Sequence, residues 1–410
     1  MTLRLALLLC GFCGVVNAAT PLDALLQAAR AANPDWQAAQ LDAAAAAEKI
    51  EAAGALPDPL LRIELENLTR NGSQSPTLAP GRVGDSKYSL LQPLPFWGKR
   101  DLRQELASRQ AELARGRAGE TWADTAARIK NLYTQHWLDS QSRRLGLENI
   151  ALTERLEQIA HTRYASGLAP QQDAIRAQVE RTGLESELLA LDSELQQLRA
   201  GLNALLARPV ATPLPETDAL PPLPAPLDAA ALKQRLFAGN PLWQQAEAGV
   251  GGAETSRDLV YRNRYPDFTV GVVPMQVQSR VESWSLMFEM NLPLQQASRR
   301  SQEREVERQL EAAQARRNAL RHRLESELDA ILAGLESARL SETLNRQRLL
   351  PQAELSFQAA LAGYENGQVD FATLLDAQRQ IRAARLALLK ARASQQLRLA
   401  DLERLLGEPL

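Results

Sequence analysis

The sequence predicts a mainly α protein with a small β part, organised around two long helical hairpins. The first hairpin lies within residues 99–206 and folds back at 164–170 (YASGLAP). Its first arm, 99–163, contains no proline and far exceeds the mean helix of ~11–12 residues. At ~1.5 Å per residue, an arm of about 65 residues would extend for about 100 Å, which no compact single domain needs. A second hairpin starts near Arg299 and folds at 364–369 (YENGQV).

The two hairpins share residues in one register, because adding 200 to a position in the first often gives the same residue in the second. The shared residues include a turn tyrosine, a turn glycine and a terminal proline: Tyr164/Tyr364, Gly167/Gly367, Ala177/Ala377, Gln178/Gln378, Leu202/Leu402 and Pro209/Pro409. Independent long helices share leucines by chance, but they rarely share turn residues in register. We interpret the pattern as an internal duplication.

The N-terminus predicts a secretory signal peptide over residues 1–18. Arg4 precedes an apolar run, and a small-x-small cleavage pattern ends at Ala18. The run is too short to span a bilayer comfortably, so a membrane anchor is the weaker alternative. Both cysteines, Cys10 and Cys13, lie in this segment, and the large apolar residue before each argues against a lipoprotein signal. Cleavage would leave a chain without disulfide or thiolate chemistry.

After the signal peptide we expect a first structural repeat at 19–209, a proline-rich linker at 210–227 and a second repeat at 228–410. Each repeat is predicted to contain a short helix, two strands and a long hairpin. The short helices are interrupted at Asn33-Pro34 and Asn240-Pro241, because proline disfavours helix in the residue before it. The candidate strands are 60–67, 87–94, 267–275 and 282–292.

The candidate strands alternate apolar and polar residues, most clearly in LRIELE at 61–66. A period of two over about nine residues is typical of a membrane barrel strand with one lipid face and one lumen face, although any half-buried antiparallel strand shows the same pattern. Four strands are too few to close a barrel, since single-chain barrels start at eight. A spanning barrel would therefore need several chains.

The formal net charge of −2 gives no strong electrostatic field that would recruit nucleic acid.

In this order and duplication, the motifs resemble the TolC family of outer-membrane channel proteins. The resemblance rests on the Asn-Pro helix in each half, the strand-to-helix junction QPLPFWGKR at 92–100, its shorter copy NLPL at 291–294, and the two turns. It implies a homotrimer whose subunits each contribute four strands to one twelve-stranded β-barrel in the outer membrane, in contact with lipid. The hairpins would form a tunnel across the periplasm. The turns would dock to a periplasmic adaptor protein that joins an inner-membrane transporter.

Within that family, the sequence most resembles members that work with RND-type pumps, notably those that export heavy-metal cations. The segments behind this are GALPDP at 54–59, ENL at 66–68 and PLPFWGKR at 93–100. Two alternatives share the same architecture: the exit duct of a drug efflux system and that of a type I protein-secretion system. A soluble periplasmic adaptor also uses long α-hairpins, but it would need one hairpin with lipoyl-like and β-rich modules around it.

The sequence does not suggest an enzyme. Three histidines, His136, His161 and His322, are isolated within helical stretches, and no His or Cys spacing predicts a preformed transition-metal site. No glycine-rich phosphate loop or nucleophile elbow occurs. We therefore expect no cofactor and no metal site, and we expect the three histidines to lie on exposed helix faces.

The candidate site residues lie around the two turns. The resemblance implies that Asp376 contributes to a ring of carboxylates at the tunnel entrance, and that Asp173 helps to tie the closed tips together; Asp370 is a third candidate for this gate. Three copies of Asp376 around one axis would favour cations, whereas the simplest alternative is an ordinary solvated carboxylate. The chain departs from the family pattern at Thr373, where a second ring carboxylate is expected, and at Val369, where an arginine latch can occur.

The candidate adaptor contacts are the turn residues themselves: Tyr164, Gly167, Leu168, Tyr364, Gly367 and Val369. For the two glycines, the left-handed conformation of a tight turn is a sufficient structural explanation. Leu168 and Val369, which are apolar at a predicted exposed turn, fit a protein-binding role better. The basic residues that follow the strands are expected to be solvated flanks without an assigned function: Lys99, Arg100, Arg299 and Arg300.

Overall fold

A computed structural model describes residues 21–68, 78, 80, 83–215, 219–224, 228–277 and 280–410. The predicted signal peptide lies outside the described residues. The predicted linker at 210–227 lies partly outside them, at 216–218 and 225–227.

The described chain is mainly helical with one small sheet, which confirms the predicted fold class. The same order of two helices, two strands and a long helical hairpin occurs twice along the chain. The elements are α1 (Pro21–Ala32), α2 (Pro34–Gly54), β1 (Leu60–Glu66), β2 (Asp85–Leu94), α3 (Lys99–Ala165), α4 (Gln171–Leu205), α5 (Ala229–Gly239), α6 (Pro241–Arg262), β3 (Phe268–Val277), β4 (Arg280–Met290), α7 (Gln296–Leu344), α8 (Leu350–Glu365) and α9 (Phe371–Leu406). A π-helical segment, Asn345–Leu349, joins α7 to α8.

The two Asn-Pro pairs interrupt the short helices as predicted, and the structure gives each asparagine a second task. Asn33 is 2% exposed and donates from Nδ2 to the backbone oxygen of Leu205 at 2.9 Å. Asn240 is equally buried and donates to the oxygen of Leu405 at 2.7 Å. Both acceptors lie in the last turn of a long helix, where carbonyl groups lack intrahelical partners. Each asparagine therefore anchors the end of a returning helix.

The described residues form two compact units, and each unit draws on both halves of the sequence. One comprises the described parts of Met1–Pro34, Thr125–Pro226 and Ala333–Asp401, and the other those of Asp35–Asp124, Leu227–Leu332 and Leu402–Leu410. The first unit has a core around the two hairpin turns that includes Leu156, Ala160, Ala177, Tyr364, Phe371, Leu374 and Leu375. The second has a leucine-rich core that includes Leu232, Leu236, Leu324, Leu328, Ile331, Leu402, Leu405 and Leu406.

The sheet of the second unit is antiparallel throughout, in the order β1-β2-β3-β4. Directly paired residues share a face and alternate residues along a strand change face, so the register separates two surfaces. One surface, called here the apolar face, carries Leu61, Ile63, Leu65, Tyr88, Leu90, Gln92, Leu94, Phe268, Val270, Val272, Pro274, Trp284, Leu286, Phe288 and Met290. The opposite surface carries the charged residues Arg62, Glu64, Glu66, Lys87 and Glu289.

The apolar face is open to its surroundings on the outer strand β4, where Trp284 is 71% and Leu286 is 88% exposed. Within the described sheet, β1 and β4 each pair on one side only. Such edges present backbone N–H and C=O groups that can pair with a strand of another chain. Over the part of the chain that the structure describes, no helix combines the length and the apolar composition needed to cross a membrane.

Candidate functional site at the hairpin turns

The two hairpin turns have the same backbone geometry. Gly167 has φ +70° and Gly367 has φ +72°, in the left-handed region that glycine adopts without steric cost. The amide of Leu168 donates to the oxygen of Arg163, and that of Gln368 to the oxygen of Gly363, both at 2.8 Å. These are the six-to-one hydrogen bonds of a Schellman motif. The conformation of the turns therefore accounts for both glycines.

Arg163 links the first turn to the second. Its Nη1 donates to the backbone oxygen of Glu365 at 2.8 Å, and its guanidinium carbon lies 5.0 Å from the centre of the Tyr364 ring. This is within the range of cation–π attraction. The sequence interpretation missed Arg163, although a signal was present: the duplicated register places Gly363 at the equivalent position. Arg163 and Gly363 therefore differ at equivalent positions of the repeat, at the place where the two turns meet.

Tyr364 forms a second link, to the first turn of α4. Its hydroxyl donates to Oδ2 of Asp173 at 3.3 Å, and the two residues are 3% and 7% exposed. Burial, together with the neighbouring Asp173 carboxylate, raises the pKa of Tyr364 to about 12. The tyrosine ring also packs on Phe371 with 5.2 Å between ring centres. A phenol in this environment remains a neutral hydrogen-bond donor throughout the physiological pH range.

Two candidate adaptor contacts on the second turn, Tyr364 and Val369, are less exposed than the sequence suggests, and their role as adaptor contacts stays a prediction. Tyr364 belongs to the core, and Val369 is half-buried against the same cluster. The reason is that the second turn folds back onto the helix before it, so that Val369 approaches the open side of Gly363. The first turn differs, because Tyr164 is 44% and Leu168 is 67% exposed.

The two remaining gate candidates have distinct surroundings. Asp370 caps α9: it accepts hydrogen bonds from the hydroxyl of Thr373 at 2.6 Å and from its amide at 2.9 Å. Those hydrogen bonds lower the pKa of Asp370. The side chain of Asp376 is 66% exposed and lies 3.5 Å from Arg379, whose guanidinium also donates to Glu180 at 2.6 Å. Asp376 is thus available to solvent, with a basic group beside it.

The junction between strands and long helices contains an ion pair that the sequence did not predict. Lys99 is 2% exposed and donates from Nζ to Oδ1 of Asp267 at 2.8 Å and to the oxygen of Tyr265 at 2.9 Å. Burial opposes ionisation of Asp267, but the hydrogen bonds from Lys99 and from the Phe96 amide outweigh it, so its pKa lies below the usual value. The expectation that Lys99 is a solvated flank is wrong.

Two of the other basic residues that follow the strands also form hydrogen bonds. Arg100 donates from Nε to the oxygen of Gly54 at 2.8 Å, and Arg299 donates to the oxygen of Asn263. Arg300 is exposed as expected. In each corrected case the partner is contributed by a segment at least 36 residues away in the sequence, which local pattern does not reveal.

The histidines divide into two environments. His161 and His322 are exposed as predicted, but His136 is half-buried. Burial, followed by the positive charge of Arg199, lowers the pKa of His136, so the expectation of an exposed face is wrong there. Among the residues that the structure describes, no three metal-ligating side chains converge.

Comparison with known proteins gives the family. The family model for outer membrane efflux proteins matches residues 25–208 and 232–408. The chain belongs to the outer membrane efflux protein family. It is 27% identical over 390 residues to the cobalt-zinc-cadmium resistance protein CzcC of Cupriavidus metallidurans, a match that covers 94% of this chain and 90% of CzcC.

Solved structures of efflux channels share the fold of this family member. The outer-membrane channel OprN superposes with a TM-score of 0.83 at 16% identity, over 94% of this chain and 90% of OprN. CusC gives 0.82 at 17% identity, over 95% and 93% of the two chains. These likenesses confirm the predicted fold class, and the family model confirms the predicted family. The protein is therefore an efflux protein of the outer membrane and not an enzyme.

Proposed function

We propose that this efflux protein is the exit duct of a tripartite system, built as a homotrimer, and that it exports heavy-metal cations delivered by an inner-membrane RND-type transporter through a periplasmic adaptor. The observation that carries the proposal is the four-stranded sheet with two unpaired edges and one apolar face. Three such sheets, joined edge to edge, make a twelve-stranded barrel with lipid outside and the charged face towards the lumen, the arrangement that membrane barrels require.

Exposed leucines in the first unit support subunit contacts. Leu340, Leu344 and Leu349 are 61%, 55% and 44% exposed. In an uninterrupted α-helix the step of five residues from Leu344 to Leu349 would rotate the side chain by about 140°. The π-helical turn at Asn345–Leu349 takes up the extra residue, so the three leucines share one side of the helix. On α4, Ile175 and Val179 form a second exposed apolar pair, at 50% and 69%. We assign these two surfaces to contacts between neighbouring subunits.

The turn cluster forms the proposed entrance. The links from Arg163 to Glu365 and from Tyr364 to Asp173 hold the two turns of one subunit together and favour a closed tip. The exposed first turn, with Tyr164 and Leu168, is the proposed adaptor contact. Asp376, repeated three times around the axis, contributes a cation-favouring ring. Changing Asp376 to Asn should lower cation preference in bilayer conductance recordings, whereas Arg379→Gln should raise it. Unchanged selectivity in both variants would show that this surface does not line the entrance.

The cargo assignment rests on the likeness to CzcC, a cobalt-zinc-cadmium resistance protein. No tight metal site is needed in a duct, since a cargo ion has to leave as readily as it enters. The test is the growth of a deletion strain on graded cobalt, zinc and cadmium, with and without the gene restored. Selective loss of metal tolerance supports the proposal. Loss of drug tolerance or of a secreted protein, with metal tolerance unchanged, would instead assign the duct to one of the alternative systems.

A further inference from the structure

A cavity of about 480 Å³ lies in the second unit, where the sheet meets the first turn of α3. It is within the ~300–1,000 Å³ range of sites that hold drug-sized ligands. Most of its lining is apolar or aromatic, and the principal lining side chains are Leu56, Leu94, Trp97, Phe268, Val270 and Phe288. Three of the rings are in contact: the ring centres of Trp97 and Phe268 are 6.0 Å apart, and those of Phe268 and Phe288 are 5.6 Å apart.

This cavity continues the apolar face of the sheet. Leu94, Phe268, Val270 and Phe288 all belong to that face by register. At the cavity Trp97 is 74% exposed, and tryptophan is typical of the level at which the hydrocarbon region of a membrane meets its headgroups. A surface that faces lipid along the strands therefore leads directly into an apolar recess at its helical end.

Two charged side chains complete the lining, Arg100 and Asp101. The hydrogen bond from Nε of Arg100 to the oxygen of Gly54 holds the guanidinium at the cavity, where its remaining N–H groups suit a phosphate. Asp101 is an exposed carboxylate that suits an ammonium group. The pair is complementary to a zwitterionic headgroup that carries a phosphate and an amine.

We propose that this cavity binds one acyl chain of a phosphatidylethanolamine molecule of the membrane, with its phosphate at Arg100 and its amine at Asp101. The inference rests on the proposed barrel, because the strands must lie in the bilayer for a lipid to reach the cavity. A bound lipid would fix the depth of each subunit and fill a recess that water would otherwise occupy at the base of the sheet.

The test uses the full-length protein reconstituted with phosphatidylethanolamine whose acyl chains carry bromine, which quenches tryptophan fluorescence at short range. Trp97→Phe and Trp284→Phe variants assign the quenching to each ring. Trp284, on the apolar face of β4, reports insertion into the bilayer. Leu56→Asp places a carboxylate in the cavity without touching a strand. Leu41→Asp is the matched control, since Leu41 lies on α2 at 70% exposure and outside the cavity.

We expect saturable quenching of Trp97 at one lipid per chain, weakened about fivefold by Leu56→Asp and unchanged by Leu41→Asp. Brominated phosphatidylglycerol, which lacks the amine, should bind more weakly, and equal binding would overturn the headgroup assignment. Quenching of Trp284 without Trp97, or quenching of Trp97 that Leu56→Asp leaves intact, would overturn the cavity site while the barrel stands. Quenching of neither ring would overturn the proposed barrel, and the lipid site with it.

Discussion

Removal of the Tyr364 hydroxyl should release the proposed closed entrance. Tyr364→Phe keeps the ring against Phe371 and beneath Arg163, and deletes the hydrogen bond to Asp173. A hydrogen bond to a charged acceptor contributes about 1.5–3 kcal/mol. The 3.3 Å separation is longer than the usual O–H···O distance, so we take about 1.4 kcal/mol, which corresponds to a tenfold change in an equilibrium constant. The open fraction should rise about tenfold.

The assay is single-channel recording in planar bilayers, with Tyr164→Phe as the matched control. Tyr164 occupies the equivalent turn position but is 44% exposed, so its variant should behave as the wild type. Alkaline pH provides a second test. The pKa of Tyr364 in the folded protein is about 12, above the ordinary value of 10.0. The stabilisation that the protonated Tyr364 hydroxyl gives to the closed tip is therefore complete below pH 10 and is lost as the pH rises through about 12. An unchanged open fraction in a correctly assembled Tyr364→Phe channel would refute the role of this link.

Two further predictions concern stability. Lys99→Met should destabilise the second unit by about 2 kcal/mol. This value is below the ~3–5 kcal/mol for breaking a fully buried pair, because Asp267 is 40% exposed. Chemical unfolding of Lys99→Met, Asp267→Asn and the double variant should show a coupling energy, and simple additivity of the two single changes would contradict the ion pair. The pKa of His136 in the folded protein is below 6.5, so the contribution of neutral His136 to folding stability is complete above pH 6.5 and is lost as the pH falls. Replacing His136 with Gln should flatten the decline in melting temperature below pH 6.5, and a decline of wild-type steepness would argue against it.

Local chemistry predicted much of the architecture. The proline-free arm at 99–163, the two Asn-Pro interruptions and the two turn glycines carry their own conformational preferences, and each appears where the sequence indicates. Strand boundaries differ by up to two residues, as for β4, which covers Arg280–Met290 instead of 282–292. The π-helical turn at Asn345–Leu349 was not predicted, although Pro351 follows it by two residues and a proline inside a helix removes one i→i−4 hydrogen bond.

The site was less predictable, because its important contacts join segments far apart in the chain. Tyr164 and Tyr364 are identical residues in a duplicated register, yet only Tyr364 is buried. Its partners Asp173 and Phe371 correspond to Thr373 and Gln171 in the other copy, so the second environment cannot form around Tyr164. Lys99 is likewise buried because Asp267, 168 residues away, accepts its charge. Duplication predicts equivalent positions, whereas the differences between the copies determine which position becomes functional.

The molecular mass of the detergent-purified protein tests the central proposal most directly. A sheet of four strands with two open edges cannot enclose a pore alone, so the mature chain should sediment as a trimer in analytical ultracentrifugation. Charged substitutions at Leu344 and Val179 should weaken that trimer. A protein that remains a stable monomer in outer-membrane extracts, while still conferring efflux, would contradict the account.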